Sequence, residues 1–183
     1  MEVKLRVSNL EEIEKKLLAL GAKLIDIVNE IDYYIDLRPC IDLRSMDMAL
    51  RVRQSTSLLS NSTRCELTFK GSRVGSYPKA RKEIIVEIDN AEKFLEIFKD
   101  LGFAKTYIVS KSRRIYRLGN FRIFLDVVKE LGSFIEIEVD DPGSQSLAVL
   151  ADEMKKLLSI IGVFGELEEK TYLEMLLEKK DLD

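Results

Sequence analysis

A chain of 183 residues, 46% hydrophobic and 33% charged, is long enough to bury a core as a soluble globular domain. Its 29 basic and 32 acidic residues, net charge -3, exclude a dominant nucleic-acid footprint or an acidic tail. There is no histidine, which removes Ser-His and Cys-His nucleophiles, HExxH zinc sites and imidazole acid–base catalysis and leaves carboxylates, lysines, tyrosines or a bound metal.

Residues 2–7 alternate strictly, Glu2, Lys4 and Arg6 against Val3, Leu5 and Val7, so a strand rather than a signal peptide is expected at the start. Ser8 followed by Glu11 predicts a capping box, and Leu10, Ile13, Leu17, Leu18 and Leu20 give the stripe of an amphipathic helix that stops at Gly21. Residues 23–36 alternate again and put Asp32, Tyr34 and Asp36 on one face. Residues 37–49, with Pro39, read as an irregular crossing.

Residues 50–53 and 65–70 predict a hairpin joined by a polar loop at 54–64. Arg51 and Arg53 share a face of its first strand, and Glu66, Thr68 and Lys70 a face of its second. Residues 71–80, including Arg73 and Lys79, predict a mobile loop, after which 81–89 resume a strand with Arg81, Glu83, Ile85 and Glu87 together. Asn90 caps a second helix with a stripe of Phe94, Leu95, Ile97, Phe98 and Leu101, ending at Gly102. The likeness of KKLLALGAK (15–23) to IFKDLGFAK (97–105) suggests a weak internal duplication.

Residues 107–118 predict a strand with Lys111, Arg113, Ile115 and Arg117 on one face, and residues 121–140 predict two more. Asp126 ends the first of these; Phe134, Glu136, Glu138 and Asp140 share a face of the second. Beyond Pro142 and Gly143, helices are expected at 146–161 and 168–180. No linker divides the chain, so one domain over 1–183 is expected. The two cysteines, Cys40 and Cys65, lack metal or redox spacing and read as structural residues of a reducing cytoplasm; no apolar run reaches membrane length.

Neighbouring glutamates on one strand face, with Asp126 close by in sequence, have the chemistry of oxygen ligands for a hard cation, although a solvated edge would show the same letters. Roughly eight strands carry one charged and one apolar face. Helices covering the apolar faces would turn the charged ones inward, into the lumen of a closed barrel. Buried charges need water, ion pairs or a ligand, and the simplest ligand is a polyanion held by the cations with a divalent metal held by the carboxylates. The alternative is an open sheet whose charged face meets solvent.

In order along nearly the whole chain, EVK at 2–4, DYY at 32–34, LRVR at 50–53, LTFKG at 67–71, RKE at 81–83, KSRR at 111–114, LDVVKELGSFIEIEV at 125–139 and TYLEML at 171–176 resemble the CYTH superfamily. These triphosphate tunnel metalloenzymes include class IV adenylyl cyclases, thiamine triphosphatases and inorganic triphosphatases. The resemblance implies an α+β fold: a closed, eight-stranded antiparallel β-barrel with a charged lumen, covered outside by α-helices. It implies that Lys4, Arg51, Arg53, Lys70, Arg81, Lys111 and Arg113 bind a triphosphate, and that Glu2, Asp126, Glu136 and Glu138 hold Mg2+ or Mn2+. One departure stands out. Glu2 and Lys4 match the second glutamate and the lysine of the family's ExExK signature, while its first glutamate would precede Met1, so either the start lies upstream or the metal has one carboxylate fewer.

The implied activity is metal-dependent hydrolysis of inorganic, thiamine or nucleoside triphosphate, with water attacking the terminal phosphorus. Lys70, crowded by cations and paired with Tyr34 as resemblance to thiamine triphosphatases implies, is the expected general base. The rival is a class IV adenylyl cyclase, in which the ribose 3'-hydroxyl attacks the alpha phosphorus of ATP and releases pyrophosphate. A third reading is a non-catalytic polyphosphate-binding module. The expected partner is a triphosphate-containing small molecule, with no membrane and no nucleic acid beyond a 5'-triphosphate RNA end; a homodimer is left open.

Overall fold

Strict alternation does produce strands here: Lys4 and Glu136 alternate with Val3, Leu5, Ile135 and Ile137, and these aliphatic residues pack with helix side chains. In the computed structural model, which describes residues 2–73, 81–139 and 146–182, the elements run β1 Glu2–Val7, α1 Leu10–Ala19, β2 Lys23–Ile35, β3 Ala49–Ser57, β4 Thr63–Lys70, β5 Glu83–Ile88, α2 Ala91–Asp100, β6 Thr106–Leu118, β7 Phe121–Val128, β8 Gly132–Val139, α3 Leu147–Ile160 and α4 Tyr172–Leu182. The expectations for Lys79, Asp140, Pro142 and Gly143 lie outside the described residues.

The strands form one eight-stranded antiparallel sheet in the order β1-β8-β7-β6-β2-β3-β4-β5, so the fold is α+β as expected. Among the described residues no ladder joins β1 to β5, and closure of the barrel by main-chain hydrogen bonds is not observed. Part of the free side of β1 is used otherwise: its Lys4 carbonyl accepts from the Glu168 N–H at 2.7 Å. No helix among the described residues is long and apolar enough to cross a membrane.

The chain divides into two compact units, Met1–Val28 with Ser112–Asp183, and Asn29–Lys111. In the first, Val3, Leu5, Ile123, Leu125, Ile135 and Ile137 pack on Leu10, Ile13 and Leu17 of α1, Met154 and Leu157 of α3, and Ile161, which caps α3. Each such side chain contributes about 1.5–3 kcal/mol when fully buried. The opposite face of the same strands is buried as well, and it carries Lys4, Arg113, Asp126 and Glu136. Antiparallel register sets Lys4 across from Glu136 and Glu2 across from Glu138.

In the second unit a smaller core joins Ile35, Val52 and Ala91 to Phe94, Leu95 and Phe98 of α2. Cys65 packs against this core, but Cys40 is exposed and free, so only one of the two cysteines is structural. β5 is exposed almost throughout, including Ile84, Ile85 and Val86.

Several boundaries differ from the sequence reading. Gln54, Ser55 and Thr56 pair with Cys65, Arg64 and Thr63, so much of the polar stretch read as loop is hairpin; Ser and Thr satisfy a ladder as well as a turn. The cap of α1 is Asn9, whose Oδ1 accepts from the Glu12 N–H, not Ser8. The last helix starts at Tyr172 because Thr171 and Glu174 form the capping box: the Glu174 N–H donates to Thr171 Oγ1 and the Thr171 N–H to Glu174 Oε2.

Candidate active site

The first unit holds its ionic groups on one face of β1, β6, β7 and β8. Arg113 Nε and Nη2 donate to the two oxygens of Asp126 at 2.7 and 2.6 Å, and Nη2 also donates to Glu136. Asp126 is 0% exposed and accepts a third bond, 2.8 Å, from the Tyr172 hydroxyl. Lys4 Nζ lies 3.9 Å from Glu136 and 4.7 Å above the Tyr172 ring. Phe124 stacks on the Arg113 guanidinium and Phe134 meets Tyr172 edge-on, so aromatic carbon shields the pairs from water. Burial, with the Glu136 and Asp126 charges adding to it, pushes the Tyr172 phenol far above its ordinary value and keeps it a donor.

The second unit carries a chain of ion pairs across four strands. Lys111 on β6 reaches Glu30 on β2 at 3.0 Å, and Arg53 on β3 reaches Glu30 at 3.4 Å and Asp32 at 2.5 Å. Arg51 Nη2 donates to Glu66 and to Thr68 on β4, each at 3.1 Å. Burial alone would raise the Asp32 carboxyl, but the bond from Arg53 and the charges of Arg53, Arg51 and Lys111 hold it well below the carboxylate range. Burial pushes the Tyr34 phenol up to about 12, the Asp32 charge adding to it and Arg51 and Arg53 opposing.

The expected cations are divided between the two units. Lys4 and Arg113 are gathered in one unit, and Arg51, Arg53 and Lys111 in the other. Lys70 and Arg81 are half-buried and outside these clusters; Lys70 sits directly across from Glu83 in the β4–β5 register and pairs with it at 2.9 Å. The expected Lys70–Tyr34 pair is not formed, because cross-strand register gives the ammonium a carboxylate partner instead. Sequence reading assigned no role to Glu30, Asp32, Glu66, Thr68 or Tyr172. Asp32 and Tyr172 lay within segments it had singled out, DYY and TYLEML, but their partners depend on register and on where α4 begins.

Among the described residues no cluster of three acidic groups is arranged to hold a metal. Asp126 is committed to Arg113 and Tyr172, which makes it the poorest fit of the expected ligands. Glu138 is the best: burial raises its carboxyl, the negative Glu136 adds to the shift while Arg113 and Arg122 oppose it, and Glu2 stands across from it. Adjacent carboxylates of this kind suit Mg2+ or Mn2+. Mg2+ in particular needs only one or two protein carboxylates when substrate phosphates and water complete its shell. Glu2 and Glu138, facing each other across the β1–β8 register, are the pair of carboxylates that suits such an ion, while Glu136 is already paired with Arg113 and Lys4.

An antiparallel sheet with one face covered by helices and the other bearing buried arginines, lysines and carboxylates defines a recognisable class: residues 1–172 match the CYTH domain, and the chain belongs to that family. A Methanocaldococcus jannaschii protein named "Putative adenylate cyclase" is 30% identical over 179 residues, 96% of this chain and 97% of that one. A solved Pyrococcus horikoshii structure is 32% identical with a TM-score of 0.80, covering 98% of this chain and 99% of its own. A Hippeastrum adenylyl cyclase homologue described by its dominant triphosphatase activity shares the fold at 18% identity and TM-score 0.69, covering 97% and 95%.

Proposed function

We propose that this chain is a divalent-metal-dependent enzyme of triphosphate compounds and that its reaction is hydrolysis, of inorganic, thiamine or nucleoside triphosphate. The observation that carries the reading is the buried, ion-paired sheet face in each unit, where guanidinium and ammonium groups are fixed before any ligand arrives. Phosphoryl transfer asks mainly for positioning and charge neutralisation, which such groups supply without histidine. In this reading Lys4, Arg51, Arg53, Lys111 and Arg113 bind phosphate oxygens, Lys70 and Arg81 act from more exposed positions, and water attacks the terminal phosphorus. A metal held by Glu2 and Glu138 would neutralise charge on the phosphate oxygens. Lys70 can take a proton only after its pair with Glu83 opens.

Cyclisation of ATP is the second reading, favoured by the name of the Methanocaldococcus relative. Hydrolysis is preferred because it requires neither a base pocket nor a folded ribose. The test is incubation of the purified protein with ATP, thiamine triphosphate and tripolyphosphate, with Mg2+ or Mn2+, and separate quantification of phosphate, pyrophosphate and cyclic AMP. Phosphate release is expected. Cyclic AMP with pyrophosphate would establish the cyclase, and binding without any product would reduce the protein to a triphosphate-holding module.

A further inference from the structure

Asp32 is 2% exposed and has no role in the reaction as proposed so far. Its Oδ1 accepts from Arg53 Nε at 2.5 Å and its Oδ2 from Arg53 Nη2 at 2.7 Å, a two-point fork along one side of the guanidinium. The first unit repeats the arrangement with the same nitrogens, Arg113 Nε and Nη2 on the two oxygens of Asp126. Such bidentate pairing fixes the plane of the guanidinium as well as its distance. The remaining nitrogen of Arg53, Nη1, faces Glu30 at 3.4 Å.

Arg51, two residues earlier on the same face of β3, is treated differently. One terminal nitrogen, Nη2, serves Glu66 and Thr68. Its Nε is buried and has no hydrogen-bond acceptor among the described residues, the nearest Asp32 oxygen being 3.8 Å away. A buried N–H in that condition has lost water without gaining a partner, a penalty that an acceptor arriving with a ligand would recover.

We propose that Asp32 is a positioning residue of the phosphate site: it locks Arg53 in a fork, and so leaves Arg51 as the member of the pair with a donor to give to a phosphate oxygen. This rests on the triphosphate reading above. Charge alone predicts the opposite consequence for a variant, since removing a negative group beside Arg51, Arg53 and Lys111 makes the site more attractive to an anion. Positioning predicts weaker binding, because an unforked Arg53 is free to turn toward Glu30 and away from the orientation the site requires. The sign of the change separates the two.

The experiment is calorimetric titration of the full chain with tripolyphosphate at fixed ionic strength, with and without Mg2+. Asp32→Asn is expected to bind about tenfold more weakly or worse. Arg53→Lys, which keeps the charge and loses the fork, is expected to match it, and the double variant should be no weaker than either single one. Unchanged or tighter binding by Asp32→Asn overturns the proposal while leaving the triphosphate reading intact. In parallel, the Arg53 Nε–H NMR signal should be protected from solvent exchange in the ligand-free wild type and lose that protection in Asp32→Asn. A rapidly exchanging signal in the wild type overturns the fork even if tripolyphosphate binds, and it requires no variant to fold. A wild type with a protected signal that does not bind tripolyphosphate overturns the triphosphate reading, and Asp32's role in it, but not the fork.

Discussion

Tyr172 is a neutral donor to Asp126, and the carboxylate it serves is wholly enclosed. Replacing it with phenylalanine keeps the ring against Phe134 and Lys4 and removes one bond to a buried charge, so Tyr172→Phe should lower stability by about 2 kcal/mol, read from the urea midpoint. Asp32 gives a pH dependence of definite sign. Its carboxyl lies lower folded than unfolded, so the stability it contributes is complete above the unfolded value of about 3.9 and is lost as pH falls below it toward the folded one. Urea unfolding followed from pH 6 downward should show the wild type losing stability through that acid window, and Asp32→Asn a shallower slope. Lys70→Ala should cut turnover far more than metal binding, and unchanged turnover would remove Lys70 from the reaction.

Three helices end alike, α3 among them, where the Gly162 and Val163 N–H groups donate to the Ser159 and Leu158 carbonyls. After α1 the N–H groups of Gly21 and Ala22 donate to the Leu18 and Leu17 carbonyls, and after α2 those of Gly102 and Phe103 donate to Lys99 and Phe98, the same Schellman closure each time. Gly21 and Gly102 have φ of +86° and +95°, and a Cβ at either would meet nothing within 4 Å. The penalty of Gly21→Ala or Gly102→Ala is therefore backbone strain alone, about 1 kcal/mol each, measurable as a few degrees of melting temperature. These stops were legible in the sequence because the signal is local: a leucine, a glycine and the end of an apolar stripe. The alternation of β1 and β8 was equally legible. What was not legible depends on two segments at once. Polar residues at 54–57 read as loop until Thr56 is seen across from Thr63, and the pairing of Lys70 with Glu83 follows from a register that neither strand encodes alone.

At the scale of the whole chain, four of the seven cations expected to be enclosed are buried, Lys4, Arg51, Lys111 and Arg113, while Arg53, Lys70 and Arg81 are only partly so. The sequence did not disclose that carboxylates from the same sheet would already neutralise them, because Glu30 and Asp32 read as ordinary members of an alternating strand. One unit is a single stretch, Asn29–Lys111, while the other joins Met1–Val28 to Ser112–Asp183, with β1 paired to β8 across most of the polypeptide. Long-range pairing of this kind is slow to form. In refolding followed by pulsed hydrogen exchange, amides of β3 and β4 should become protected before those of β1 and β8; simultaneous protection would contradict this order. During synthesis the consequence is sharper: the amino-terminal strand leaves the ribosome long before its partner exists. For that interval, its lysine and aliphatic side chains are clients for a chaperone.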